Sequence, residues 1–201
     1  MNAGPRSRFT VRGSDGPLVV HNCLQLASGA AYINGSNTEW VEVHDAKIQA
    51  LQSIVEESMG APVLVAYNFR SDLARLKKAF PDGADLSTRD GMGKFKAGDA
   101  PLGFGHPAGM GHGVDGLQHA CNTIAFFGCN WNLEEHLQVI ERVGPVRQKQ
   151  AGYNRPVFVH QIVARDTVDE MVLERIATKR EVQDILMSAM KRRKDEACST
   201  G

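Results

Sequence analysis

The sequence predicts an α/β fold in which a parallel sheet carries helices on both faces. Strand and helix signals alternate along the chain, which is the pattern of such a sheet. The strand candidates are continuous apolar runs rich in β-branched residues, as expected for strands covered on both sides. The helix candidates show apolar residues at three- and four-residue steps with capping residues at their starts. A length of 201 residues suits one large domain. With 42% hydrophobic and 23% charged residues, neither wholesale disorder nor a coiled coil is indicated.

Residues 1–22 carry Gly, Pro, Ser and Arg without periodicity and read as an extended, poorly ordered lead-in. From Ala46 to Met59 the apolar positions Ile48, Leu51, Ile54 or Val55, and Met59 mark an amphipathic helix, with Asp45 at its N-cap. Val63 to Tyr67 then reads as a buried strand. Leu73, Leu76 and Phe80 mark a second helix, closed by Pro81 and Gly83. The stretch from Gly91 to Gly116 holds nine glycines and is expected to be loops around one short strand near Leu102 to Pro107. Thr123 to Phe127 is a further buried strand, followed by a helix from Leu133 to Val143 whose start pairs Asn132 with Glu135. Pro156 to Val163 reads as a strand. Thr167 to Glu170 is a capping box opening a long helix to about Met190. Residues 191–201, which include Lys191 to Lys194, form a basic and polar tail; cations there suit a helix C-terminus.

Several function classes are disfavoured by what the sequence holds. The four cysteines, Cys23, Cys121, Cys129 and Cys198, include no C-x-x-C pair and read as reduced thiols. His106, His112 and His119 lack the close spacing of zinc ligands, so no metal site is expected. No apolar run approaches the roughly 18 residues of a membrane span, and a soluble, cytoplasmic protein is the expectation. The formal net charge is zero, so any nucleic-acid site must be a local patch or half of a groove.

A phosphate-binding loop would need two glycines five apart, then Lys, then Ser or Thr, so that backbone N–H groups wrap the phosphates. Only Gly93-Lys94 approaches it, but Thr88 stands where the first glycine belongs and Phe95 replaces the hydroxyl residue. Nor does an acidic pair follow an apolar strand. Asp169-Glu170 belongs to the capping box, and Asp195-Glu196 lies in the tail.

A different phosphate chemistry is suggested by Glu134 to Gln150. Gln138 and Arg142 are four apart and share one helix face, and Arg147 follows Gly144-Pro145. That arrangement can aim two guanidinium groups off a helix end. Arginine suits the task because it is always charged and its planar fork matches phosphate oxygens. On spacing alone, a solvated surface is the competing reading.

Four stretches in order resemble the landmarks of the C-terminal lobe of superfamily-two helicases. They are Val63 to Leu76, His106 to Ala120, Phe126 to Gln148 and Val157 to Leu186. The similarity is to the Swi/Snf-like group, especially its bacteriophage versions, and spans roughly residues 23–193. It implies that residues 23–190 form a RecA-like lobe. It also implies roles for particular residues. Asn68 and Arg70 match the fourth helicase motif, which faces the nucleic-acid backbone. Gly111, Gly113, Asp115 and Gln118 match the fifth, which links nucleotide to nucleic-acid track: Gly111, Gly113 and Asp115 on the nucleotide side, Gln118 on the nucleic acid. Trp131 and Asn132 match the Trp-Asn pair, also assigned to nucleic acid. Gln138, Arg142 and Arg147 match the sixth motif, with Gln138 at the nucleotide and the arginines as fingers. The second Arg stands five residues after the first, where most members have three, which leaves open whether Arg142 or Arg147 reaches the γ-phosphate.

The resemblance further implies ATP and Mg, both held mainly by an N-terminal helicase lobe, whether part of the same protein or a separate chain. It implies DNA, double-stranded by family, as partner, no membrane, and host cytoplasm for a phage-encoded protein. Without a P-loop or acidic pair, these residues are not expected to hydrolyse ATP alone. The alternative is a non-catalytic module derived from such a lobe that binds nucleic acid or a partner.

Overall fold

The computed structural model describes residues 16–33, 38–110, 115–129 and 132–181. Five parallel strands form its centre: β3 (Val63–Ala66), β4 (Ala84–Asp85), β5 (Leu102–Gly105), β6 (Thr123–Phe126) and β7 (Phe158–Gln161), in the order β4-β5-β3-β6-β7. A separate antiparallel pair joins β1 (Ala30–Tyr32) to β2 (Trp40–Glu42). The helices are α1 (Gly16–Ser28), α2 (Ala46–Glu57), α3 (Arg70–Ala79), α4 (Arg89–Ala97), α5 (Pro107–Met110), α6 (Leu117–Ala120), α7 (Leu133–Val143), α8 (Pro145–Gln150) and α9 (168–181). The α/β class expected from the sequence is the class observed.

The central strand shows why the apolar run works. Along β3 the side chains alternate: Leu64 and Ala66 face Phe95 of α4, Met110 of α5, Leu117 of α6 and Val139 and Val143 of α7. Val63, Val65 and the following Tyr67 face the other layer, with Ile48 and Leu51 of α2 and Leu76 of α3. A strand buried on both faces needs apolar residues at every position, whereas a half-exposed one needs them at alternate positions.

Three local expectations are corrected. Part of the lead-in is helical, since α1 begins at Gly16; residues 1–15 lie outside the described residues. The glycine-rich stretch is largely structured among the described residues, with most of α4 and all of α5 in it and α6 starting just after. Thr88 caps α4 by accepting from the Gly91 N–H at 3.0 Å, and left-handed Gly98 ends it. In β5 the glycines mark tight packing: Leu102 and Phe104 face one layer, while on the other Phe95 and Met110 occupy the space that a Cβ at Gly103 and Gly105 would need. Finally, Asp45 stands at the N-cap of α2 without bonding its backbone, and instead accepts from the Gln49 side chain at 3.0 Å.

Polar bonds fasten the periphery to the sheet. Arg75 of α3 is buried and donates to the carbonyls of Ser28 and His44, each at 2.5 Å, and to Glu42 at 3.2 Å. One guanidinium thereby holds α1 and the β1–β2 pair against α3. Leu24 of α1 joins Val172 and Ile176 of α9, together with Phe69, Cys129 and Leu133, in a third apolar cluster. The tail and the end of the long helix, 182–201, lie outside the described residues.

Candidate nucleotide and nucleic-acid interface

The loops that follow β3, β5 and β6 leave the same edge of the sheet, because all three strands run parallel. Open α/β sheets bind ligands beyond the carboxyl ends of their strands. Asn68 lies in the first of these loops, half-buried, and its side-chain N–H donates to the Cys129 carbonyl in the third at 2.7 Å. Arg70 is exposed one turn away, at the start of α3. Asp72 sets that start by accepting from the backbone N–H groups of Phe69 at 3.0 Å and Asn68 at 3.4 Å. Burial pushes its carboxyl up to about 6 despite those bonds and the charges of Lys47 and Arg75.

Asn132 opens α7. Its side-chain oxygen accepts from Glu134 N at 3.1 Å and its amide donates to Glu135 at 3.0 Å, the expected capping arrangement. Gly111, Gly113 and Trp131 lie outside the described residues. Gln118 lies within α6 and is 8% exposed.

Gln138, Arg142 and Arg147 come together at one place. Buried Leu133, His136, Val139 and Val143 turn α7 inward, which directs Gln138, Glu141 and Arg142 along its flank. Gln138 donates to Glu134 at 3.3 Å. Arg142 is half-buried and its Nε donates to the Met110 carbonyl at 3.1 Å. Gly144 and Pro145 break the helix and start α8, which carries Arg147 back to the same place. Arg147 Nη1 lies 2.8 Å from Asp115 Oδ1. Gln138, Glu141, Arg142 and Arg147 line one cavity of about 140 Å³. Gln138 and Glu141 also line an adjoining open groove of about 590 Å³ between α7 and Lys179 of α9.

Two residues that the sequence did not single out connect these parts. Gln148, 1% exposed, donates through its amide to the carbonyls of Cys121 at 2.9 Å and Val143 at 3.0 Å. Arg155 donates to the Gln148 side-chain oxygen at 2.8 Å and to the Gln118 carbonyl at 2.8 Å. The available signal was the spacing of Gln148 from Gly144, four residues, which places it on the inner face of α8.

Other polar groups have structural partners. His136 stacks on Phe126 and lies 3.3 Å from the Gln161 amide, and burial, with the Arg180 charge adding to it, holds its imidazole below the usual range. His106 packs edge-on to Tyr67 and His119 to Tyr153. Among the described residues no group of three or more His, Cys, Asp or Glu is placed to hold a metal, and no helix is long and apolar enough to cross a membrane.

The fold is α/β of the RecA-like kind, similar to that of helicase C-terminal lobes. The C-terminal part of the Fun30 ATPase domain superposes on 73% of this chain, and 48% of that one, with a TM-score of 0.54 at 20% identity. No family model matches the chain. In sequence it is 55% identical over 171 residues, 85% of its length, to protein p41 of Acyrthosiphon pisum secondary endosymbiont phage 1. It is also 28% identical over 68 residues to the human lymphoid-specific helicase and 29% identical over 68 residues to the chromatin-remodeling ATPase INO80 of Cryptococcus neoformans. The chain spans 37% of the phage protein and 8% of the lymphoid-specific helicase. Similarity to Swi/Snf-type ATPases and to a phage protein thus agrees with the resemblance drawn from the motifs.

Proposed function

We propose that this chain is the second motor lobe of an ATP-dependent DNA translocase or helicase, and that Arg142 and Arg147 act on the terminal phosphates of ATP. The observation that carries the proposal is the shared cavity of about 140 Å³ lined by Gln138, Arg142 and Arg147. Two guanidinium groups and an amide on one cavity, which Glu141 also lines, suit a phosphate, because the guanidinium groups offer donors in a fixed plane to a doubly charged acceptor. The cavity is small beside a whole nucleotide, and the chain contains no P-loop, so the rest of ATP and its Mg would be held by a first lobe.

Charge developing on the transferred phosphoryl group would be stabilised from this side of a cleft, and Arg147 would have to exchange Asp115 for phosphate to do so. That exchange is a route by which nucleotide state reaches the fifth motif. Closure of the two lobes would move the exposed Arg70 and the loop of Asn68, Cys129 and Asn132 against a nucleic-acid backbone. The soluble lobe would work with DNA in the cytoplasm, that of the host for a phage product.

The test combines this lobe with a first lobe that carries a P-loop, and changes Arg142 and Arg147 to Ala separately. Loss of the finger should lower DNA-stimulated kcat by about 10³–10⁵-fold. Full stimulated ATPase in both variants would overturn the assignment.

A further inference from the structure

The two arginines sit on different helices, and the corner between those helices is held by a buried side-chain clasp. α7 ends at Val143, so the Val143 carbonyl is one of the terminal carbonyls that its own helix leaves without a donor. The Gln148 amide supplies one, and its second N–H satisfies Cys121 at the end of α6. Its oxygen takes the Arg155 Nε, while Arg155 Nη2 reaches back to Gln118 at 2.8 Å and Cys121 at 3.4 Å. The guanidinium lies over the Tyr153 ring, 4.5 Å from its centre. Every bond of this set therefore joins α6, the α7–α8 corner or the segment leading into β7.

We propose that Arg155 and Gln148 are positioning residues that set where Arg142 and Arg147 stand relative to Asp115; the proposal rests on the phosphate-clamp reading above. Gln148 is the immediate neighbour of Arg147, so a shift of α8 carries Arg147 with it. Arg142 precedes Val143, whose carbonyl the clasp holds. Asp115 precedes α6 by two residues, and the clasp grips α6 at Gln118 and Cys121. One buried amide thus links the sixth motif to the fifth. Only an amide fills the place: a carboxylate would face two carbonyls with no donor, and an aliphatic side chain would leave both carbonyls and the Arg155 Nε unmet.

The test follows the Nε–H resonances of Arg142 and Arg147 in the chain during titration with inorganic tripolyphosphate, with the Trp40 indole as a remote reporter. Arg155→Ala should shift both arginine resonances, leave Trp40 in place and weaken tripolyphosphate by about tenfold, in keeping with the sensitivity of positioned groups to displacements below 1 Å. Arg155→Lys should recover part of the loss. Should Arg155→Ala not fold, Gln148→Glu decides the same question, since it keeps an acceptor for Arg155 and removes both amide donors. Unmoved arginine resonances, an unchanged affinity, or a Trp40 shift as large as theirs would overturn the positioning role. A wild-type Arg147 that ignores tripolyphosphate would instead remove the phosphate-clamp reading itself.

Discussion

Lys47 Nζ of α2 lies 2.5 Å from Asp169 Oδ2 of α9, and both side chains are almost wholly buried. The same carboxylate oxygen accepts from the Ala164 N–H at 3.0 Å. Removing one partner of a buried pair leaves an uncompensated charge, so Lys47→Met should cost about 3–5 kcal/mol in urea unfolding. Adding Asp169→Asn, which keeps an acceptor for Ala164 while removing the charge, should return most of that loss. A double variant no better than the single one would show that the pair is not the source of the effect.

Asp72 lies in the same interior, fully buried, with its carboxyl raised from 3.8 to about 6. An acid whose folded value is raised binds its proton more tightly in the folded state. Its contribution to stability is therefore complete below about pH 4 and is lost as the pH rises through about 6. Over that window wild type should lose about 3 kcal/mol relative to Asp72→Asn, the energy of roughly two pKa units. Unfolding midpoints of the two proteins at pH 4, 5, 6 and 7 check this, and parallel curves would refute it.

The sheet was legible because β3 and β6 are buried on both faces and advertise themselves as apolar runs. α2, α3 and α7 were legible for the complementary reason, that each turns one stripe inward. The glycine-rich stretch misled because Gly103 and Gly105 serve packing against Phe95 and Met110, and a sequence records a missing side chain without recording what fills its place. β4, only two residues long, carried no periodicity at all. In the site, Gln138, Arg142 and Arg147 were visible as a local pattern on adjacent helices. The clasp was not, since Arg155 meets Gln118 across 37 residues and only the folded chain brings them together.

Gly29 adopts φ 102, and a Cβ there would overlap the His44 carbonyl and crowd the Arg75 guanidinium. Gly60 adopts φ 85 with nothing within 4 Å of such an atom. Gly60→Ala should therefore cost only the backbone strain, about 1–2 kcal/mol. Gly29→Ala adds a steric clash and a displaced buried charge, and should cost more than about 3 kcal/mol. Chemical denaturation of the two variants side by side makes the comparison, and equal losses would contradict the clamp ascribed to Arg75.

Cys121 and Cys129 are buried, and burial pushes both thiols up to about 12, with the Asp169 charge adding to the effect on Cys129. Cys23 is exposed. Thiolate is the reactive form, so a disulfide reagent at pH 7 should label Cys23 at least about 10²-fold faster than either buried thiol. Mass spectrometry of partly labelled native protein reads the order. Labelling of Cys121 or Cys129 at the rate of Cys23 would mean that the layers around β6 open readily.

The Asp115–Arg147 pair separates stability from function. Its side chains are 72% and 37% exposed, so water screens the attraction, and Asp115→Asn should change stability by less than about 1 kcal/mol. The same substitution removes the anion that competes with phosphate for Arg147. Tripolyphosphate should then bind more tightly to Asp115→Asn than to wild type at low salt. The advantage should shrink as ionic strength rises and the screening length falls to about 8 Å at 0.15 M. Calorimetric titration across a salt series measures both the sign and the trend. Weaker binding by the variant would mean that Asp115 orients Arg147 for its ligand instead of occupying it.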